Sequence, residues 1–200
     1  TRRETAKSGT LKILILPNSG KPSAAQNLAA HLGNQQKGAG YIRCGNDVVT
    51  WCFGHLFEMP KPEYYDPSLK VWSLESLPIV PNQWKITPKI DAQAQLKVIG
   101  ELLAMSDSAV NAGDPDNEGQ LLVDDVLERF KYSKKIQRFW VSGQDTTSLQ
   151  RGLDSMKSNN EFSGHRDAAR ARGRADWLIG MNFSRTYTLQ AQSKGAKGFV

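Results

Sequence analysis

A chain of 200 residues is long enough for one domain and part of a second, and a formal charge of +6 with a pI of about 9.3 allows a polyanionic partner such as nucleic acid. Cys44 and Cys52 lack metal-ligand spacing and form no disulfide framework, which fits a reducing, cytoplasmic setting. No apolar run reaches the roughly 18 residues a membrane span needs, and the polar opening TRRETAKSGT lacks a signal-peptide core, so residues 1–10 read as a disordered tail.

Leu11–Leu16 is a short apolar run before turn residues, the pattern of a buried strand. The turn that follows, PNSGKPS, invites a phosphate-loop reading, but the first glycine of such a loop would stand where Ile15 is. Pro22 also lacks the backbone N–H that a phosphate cradle uses, and it suits the first turn of a helix over Ser23–Leu32. Gly33–Gly40 is polar and reads as a loop. Tyr41–Cys44 and Asp47–Phe53 are rich in β-formers and meet at Gly45-Asn46, a hairpin signal. From Glu58 to Pro88 the chain is irregular and proline-rich, with Trp72 and Trp84. That stretch is too long for an idle loop and predicts a packed, functional excursion.

Leu96, Ile99, Leu102 and Leu103 predict a helix over Ile90–Met105, and Ser108–Ala112 a second buried strand. A helix over Glu118–Phe130 turns Leu121, Leu122, Val126 and Phe130 inward. Gln137–Val141 reads as a third core strand, and Thr146–Met156 as a helix capped by Asp145 or Thr146. Strands alternating with helices predict an α/β fold with a mainly parallel central sheet covered on both faces. Beyond the polar Lys157–Gly164, the basic segment HRDAARARGRADWLIGMNFSRTYTLQAQ predicts a helical C-terminal region.

The sharpest chemical feature is GDPDNEGQ, Gly113–Gln120, where a predicted strand hands over to a predicted helix. Pro115 keeps Asp114 out of helical geometry, so Asp114 and Asp116 can point to one side and Glu118 can join them from the first helical turn. Carboxylates held this close repel unless a cation neutralises them, and Mg²⁺ accepts carboxylate and water oxygens while leaving room for phosphate. The carboxyl ends of strands in open α/β sheets are where ligands collect. If the first two buried strands are neighbours, Lys21 lies beside these acids, where a cation can stabilise a phosphoryl oxygen. A solvated acidic turn and a structural lysine are the plainer alternatives.

Taken together and in order, the xKPS turn, CGNDVVTWCFGHLFE, LPIVPNQW, AGDPDNEGQLLVDDVL and ARGRADWLIGMNFSRTYT resemble bacterial type IA DNA topoisomerases of the topoisomerase III kind, over nearly the whole chain from Leu11. The resemblance implies a Toprim domain over residues 11–155 and the start of a helical DNA-binding domain over 156–200. It implies that Asp114, Asp116 and Glu118 hold Mg²⁺, and that Lys21 stabilises the scissile phosphate. It also implies that Trp72, Trp177 and Arg185 contact single-stranded DNA, with Arg172 and Arg174 in the same basic helix. Guanidiniums that meet phosphates and tryptophans that stack on any base suit that role. For Trp72 and Trp177, core packing is the competing role. His55 lies in the Gly-His-Leu turn and is expected near the active face or as a structural residue.

Some positions depart from the family pattern. Gly20 stands where the family has a glutamate tied to acid–base chemistry and metal, Asn117 where it has arginine, and Gln192 where a later arginine on the DNA path is expected. None of Tyr41, Tyr64, Tyr65, Tyr132 or Tyr187 has the sequence context of the family's nucleophilic tyrosine. The implied reaction is tyrosine attack on a single-strand phosphodiester, strand passage and resealing, by a monomer in the cytoplasm at the nucleoid, with a helicase as a candidate partner. These 200 residues alone are expected to be inactive. A degenerate single-stranded DNA binding module and a Toprim-type metal-dependent nuclease are the alternatives.

Overall fold

The computed structural model describes residues 11–17 and 23–195; the expected tail at residues 1–10 lies outside them. In chain order the elements are β1 (Lys12–Pro17), α1 (Ser23–Leu32), β2 (Gln35–Gly38), β3 (Tyr41–Cys44), β4 (Asp47–Cys52), β5 (Phe57–Glu58), α2 (Pro62–Tyr65) and β6 (Thr87–Pro88). Then come α3 (Gln93–Met105), β7 (Ser108–Asn111), α4 (Asn117–Arg129), β8 (Lys135–Arg138), α5 (Thr146–Asp154), β9 (Lys157–Ser158) and α6 (Ser163–Ser193). The chain divides into two compact units. One runs to Leu56 and resumes over Lys89–Asp167; the other comprises Phe57–Pro88 and the chain from Ala168.

The first unit is built on a sheet of seven strands in the order β2-β3-β4-β1-β7-β8-β9. Its centre is parallel: β1 pairs with β4 on one side and β7 on the other, and β7 pairs with β8. Antiparallel β2, β3 and β9 finish the edges. Ile13, Leu14 and Ile15 are buried on both faces of the sheet, which is why β1 shows no polar alternation. On one face Leu14, Val49 and Val110 pack with Leu28, Phe139 and Leu149. Ile99, Leu102, Val123 and Val126 on α3 and α4 add further buried side chains.

The hairpin at Gly45-Asn46 forms as expected, with Gly45 at φ +64°, a conformation that favours glycine. Three expectations are revised. Gly33–Gly40 is not all loop, because Gln35–Gly38 is an edge strand whose exposed polar side chains carry no alternating signal. The third core strand starts two residues early, at Lys135, and leaves the ladder after Arg138. Phe130 does not turn inward: it caps α4, is 38% exposed, and its ring occupies the space left by Gly100.

In the second unit Trp177 is the centre of an aromatic cluster with Tyr65 and Trp84, both at edge-to-face angles. Asn182 ties α6 to the proline-rich excursion, accepting from the Ile79 N–H at 2.6 Å and donating to the Ile79 carbonyl at 2.9 Å. That excursion is therefore packed, as its length required. Among the described residues no helix is long and apolar enough to cross a membrane.

Candidate active site

Three neighbouring parallel strands, β4, β1 and β7, finish at the same edge of the sheet, with Pro17 opposite Cys52 and β7 stopping two residues short at Asn111, opposite Ile15. The acidic turn leaves the end of β7, and His55 follows β4. Strand adjacency, the condition for bringing the first turn beside the acids, is met. Gly20 and Lys21 themselves lie outside the described residues.

The turn is wound tightly. The Asp116 N–H donates to the Asp114 carbonyl at 2.8 Å, and the Asp116 carboxylate caps α4 by accepting from the Gly119 N–H at 2.7 Å. Gly113 and Gly119 cross so closely that a Cβ on Gly113 would meet the Gly119 carbonyl, and one on Gly119 would meet the backbone of Asp114. The glycines flanking the acids are thus a steric requirement of the turn.

Asp114, Asp116 and Glu118 are all exposed, but they do not converge as a trio. Glu118 turns to His55, with Oε2 at 3.4 Å from Nε2. Asn117 Oδ1 lies 2.7 Å from His165 Nδ1 at the start of α6. Asp114 and Asp116 remain coupled. Partial burial raises the Asp114 pKa, the charge of Asp116 raises it further, and Arg138 opposes both. Among the described residues no three His, Cys, Asp or Glu side chains gather to hold a metal ion. Two repelling carboxylates nevertheless form a donor set that suits Mg²⁺, which binds through one or two carboxylates and keeps several waters.

Behind the turn lies a polar cluster that sequence reading missed. Among the described residues Arg138 is the largest fully buried side chain, at 1% exposure. Its Nη1 donates to the carbonyls of Asn111, Gly113 and Phe139 at 3.0, 2.8 and 2.6 Å, and its Nη2 to the Asp114 carbonyl at 2.7 Å. Its guanidinium carbon lies 4.5 Å from the centroid of Trp140, which stacks on Phe162. Burial lowers the Arg138 pKa to about 10, opposed by the charges of Asp124, Asp114 and Asp116. Asp124 is buried and accepts from the amides of Asn111, Gln120 and Asn159 at 3.1, 2.9 and 2.7 Å. The available signals were an arginine inside a core strand, and Gln120 and Asp124, polar residues four apart that bracket the apolar Leu121–Val123.

The residues expected at DNA belong to the second unit and differ in accessibility. Trp177 is 7% exposed and donates its indole N–H to the Pro60 carbonyl at 3.1 Å. Arg185 is 3% exposed; it donates to the Leu69 carbonyl at 2.8 Å, reaches Glu63 at 3.8 Å and lies 4.9 Å from the Trp72 ring centroid. Arg174 is half-buried over Trp84. Arg172 is exposed and faces Asp176 at 3.8 Å, while Trp72 keeps part of its surface open.

Known proteins resemble this chain over most of its length. The chain is 42% identical over 186 residues to DNA topoisomerase 3 of Pasteurella multocida, covering 90% of this chain and 29% of that protein. It is 44% identical to DNA topoisomerase 3 of Vibrio cholerae, with the same coverage. It is 34% identical over 192 residues to that of Staphylococcus epidermidis, covering 95% of this chain and 27% of the relative. The chain thus spans less than a third of the length of these relatives. The fold is shared with full-length topoisomerase I from Thermotoga maritima, at a TM-score of 0.56 and 15% identity over 84% of this chain and 24% of that one. The resemblance to bacterial topoisomerases of the topoisomerase III kind holds, and with residues 20–143 matching the Toprim domain model, the chain belongs to the Toprim family.

Proposed function

We propose that this chain is the Toprim part and the start of the following helical domain of a type IA DNA topoisomerase, one that cleaves and reseals single-stranded DNA. The observation that supports this reading is the acidic turn at the shared end of three parallel strands, within a sequence matching topoisomerase 3 proteins over 90% of its length. In the reading, residues 11–155 correspond to the Toprim domain and 156–200 to the beginning of the helical DNA-binding domain.

Asp114 and Asp116 would hold Mg²⁺, with Glu118 held in reserve by His55. Bound Mg²⁺ neutralises charge on phosphate oxygens. Lys21, which follows β1 in sequence, would offer a second cation to the scissile phosphate. The tyrosine nucleophile belongs to sequence outside these 200 residues, because none of the five tyrosines present has the required context. Alone, the chain binds DNA and does not cut it. Arg172, Arg174 and Trp72 meet single-stranded DNA; Trp177 and Arg185, with their internal partners, act mainly by holding that surface in shape. The setting is the bacterial cytoplasm, at the nucleoid, as a monomer with a helicase as candidate partner.

A second reading, a single-strand binding module without catalysis, is favoured by one observation, that the three acids do not gather, and by the resemblance, which implies a glutamate where Gly20 stands. The two readings separate in the longest natural chain. Full cleavage with Gly20 in place supports the enzyme, and a large gain on Gly20→Glu supports decay from one.

The purified chain tests the rest. Binding to a single-stranded oligonucleotide that weakens steeply with salt, with no strand scission, is the expected result. Plasmid relaxation abolished by Asp114→Ala would refute the claim of inactivity. Metal-dependent nicking without a covalent protein–DNA adduct would replace the topoisomerase reading with a nuclease.

A further inference from the structure

Arg138 is placed where a side chain can set the shape of the acidic turn without touching anything that binds there. Its two terminal nitrogens reach four carbonyls, and three of these, from Asn111, Gly113 and Asp114, are on the segment that carries β7 into the turn. The fourth, from Phe139, belongs to its own strand end. The side chain therefore clamps the end of β8 to the end of β7. The Asp114 carbonyl it holds also accepts the Asp116 N–H, so one oxygen links the guanidinium to both aspartates.

The clamp is enclosed. Trp140 covers the guanidinium, and Phe162 stacks on Trp140 with ring centroids 4.9 Å apart. The Asn111 amide donates to Asp124 and to the Gln120 carbonyl, while its oxygen accepts the Gly113 N–H at 3.0 Å. The same residue thus joins strand, turn and helix. Asp124 gathers Asn111, Gln120 and Asn159, and supplies a buried negative charge in the same cluster as the arginine.

A core that needed only volume here would use an aliphatic residue, since a buried ion is not in itself stabilising. Four backbone acceptors served by one planar fork are instead the arrangement of an outer support that orients ligands in front of it.

We propose that Arg138 is the positioning residue of the acidic turn: it fixes the backbone that aims the Asp114 and Asp116 carboxylates, with Asp124 as its buried counter-charge. Its effect on metal rests on the reading above that these carboxylates take Mg²⁺. Its effect on the turn does not.

The test uses the full 200-residue chain as wild type, Arg138→Met, Arg138→Lys, and Arg138→Met combined with Asp124→Asn, which removes both buried charges. Ile99→Val serves as a core variant away from the turn. Each is titrated with MgCl₂ alone while the amide resonances of residues 113–119 are followed, and amide exchange is recorded without metal.

Arg138→Met is expected to weaken Mg²⁺ binding by about tenfold or more, the usual cost of removing an outer support. Arg138→Lys, whose ammonium can serve some of the four carbonyls, should recover part of the loss. Ile99→Val should leave affinity unchanged. Without metal, the Asp116 and Gly119 amides should exchange faster in Arg138→Met and in the double variant, while α3 amides stay protected.

Mg²⁺ affinity within about twofold of wild type in a folded Arg138→Met chain would overturn the proposal, as would an equal loss in Ile99→Val. If the wild-type chain binds no Mg²⁺, the metal reading fails. The exchange arm then decides alone, and unchanged exchange at Asp116 and Gly119 overturns the role of Arg138.

Discussion

Asp116 has two separable duties, one structural and one electrostatic, and a pair of substitutions divides them. Its carboxylate caps α4 through the Gly119 N–H at 2.7 Å, and its charge faces Asp114. Asn caps as well as Asp, so Asp116→Asn keeps the hydrogen bond, whereas Asp116→Ala loses it at about 1 kcal/mol. Removing the charge gives up about 0.3–1 kcal/mol of favourable interaction with the helix N-terminus, and relief of the repulsion with Asp114 offsets it. Asp116→Asn should therefore melt within a degree or two of wild type. Asp116→Ala should melt about 2–4 °C lower for a chain of this size. Both should weaken Mg²⁺ binding by about tenfold or more, since each removes one of two carboxylates. Thermal melts by circular dichroism, with and without MgCl₂, and an amide-shift titration read the two effects separately. An Asp116→Asn chain that melts as low as Asp116→Ala would refute the cap argument. Wild-type Mg²⁺ affinity in Asp116→Asn would refute the ligand argument.

Gly119→Ala, which in an ordinary helix would stabilise, should cost about 1–3 kcal/mol here because the new Cβ meets the Asp114 backbone; urea denaturation shows the sign directly. Trp177→Phe should lower stability by about 1–3 kcal/mol by orphaning the buried Pro60 carbonyl. It should change single-strand affinity little at temperatures where the chain is folded, and a large affinity loss in a fully stable variant would make Trp177 a direct DNA contact. The pKa of Asp114 is raised on folding, so the folded state holds this proton more tightly than the unfolded chain. Metal-free stability contributed by this group is then greatest in acid and is lost as pH climbs from the ordinary aspartate value through the raised one. Mg²⁺ affinity should run the opposite way, falling as pH drops through that same window. Asp114→Asn should flatten both slopes, and a pH series of melts and titrations checks it.

Much of the first unit is legible in local patterns. β1, β7, α3 and α4 follow from apolar runs and helical spacing, the hairpin from Gly45-Asn46, and the acidic turn from Pro115 between two aspartates at a strand end. Edge strand β2 was hidden because exposed polar residues look the same in a loop and in a strand with one paired side. Phe130 falls outside the expected inward face because periodicity does not tell where a helix stops.

The sequence by itself determined the order of motifs, the class of fold and the candidate acids, since each is read from local runs and turns taken in chain order. Only the tertiary structure decided what those residues face. It turned Glu118 toward His55, buried Trp177 and Arg185 among internal partners, and brought Arg138 from one strand end to the carbonyls of another. Those pairings join positions far apart in the chain, where charge and packing are set by which strands lie side by side.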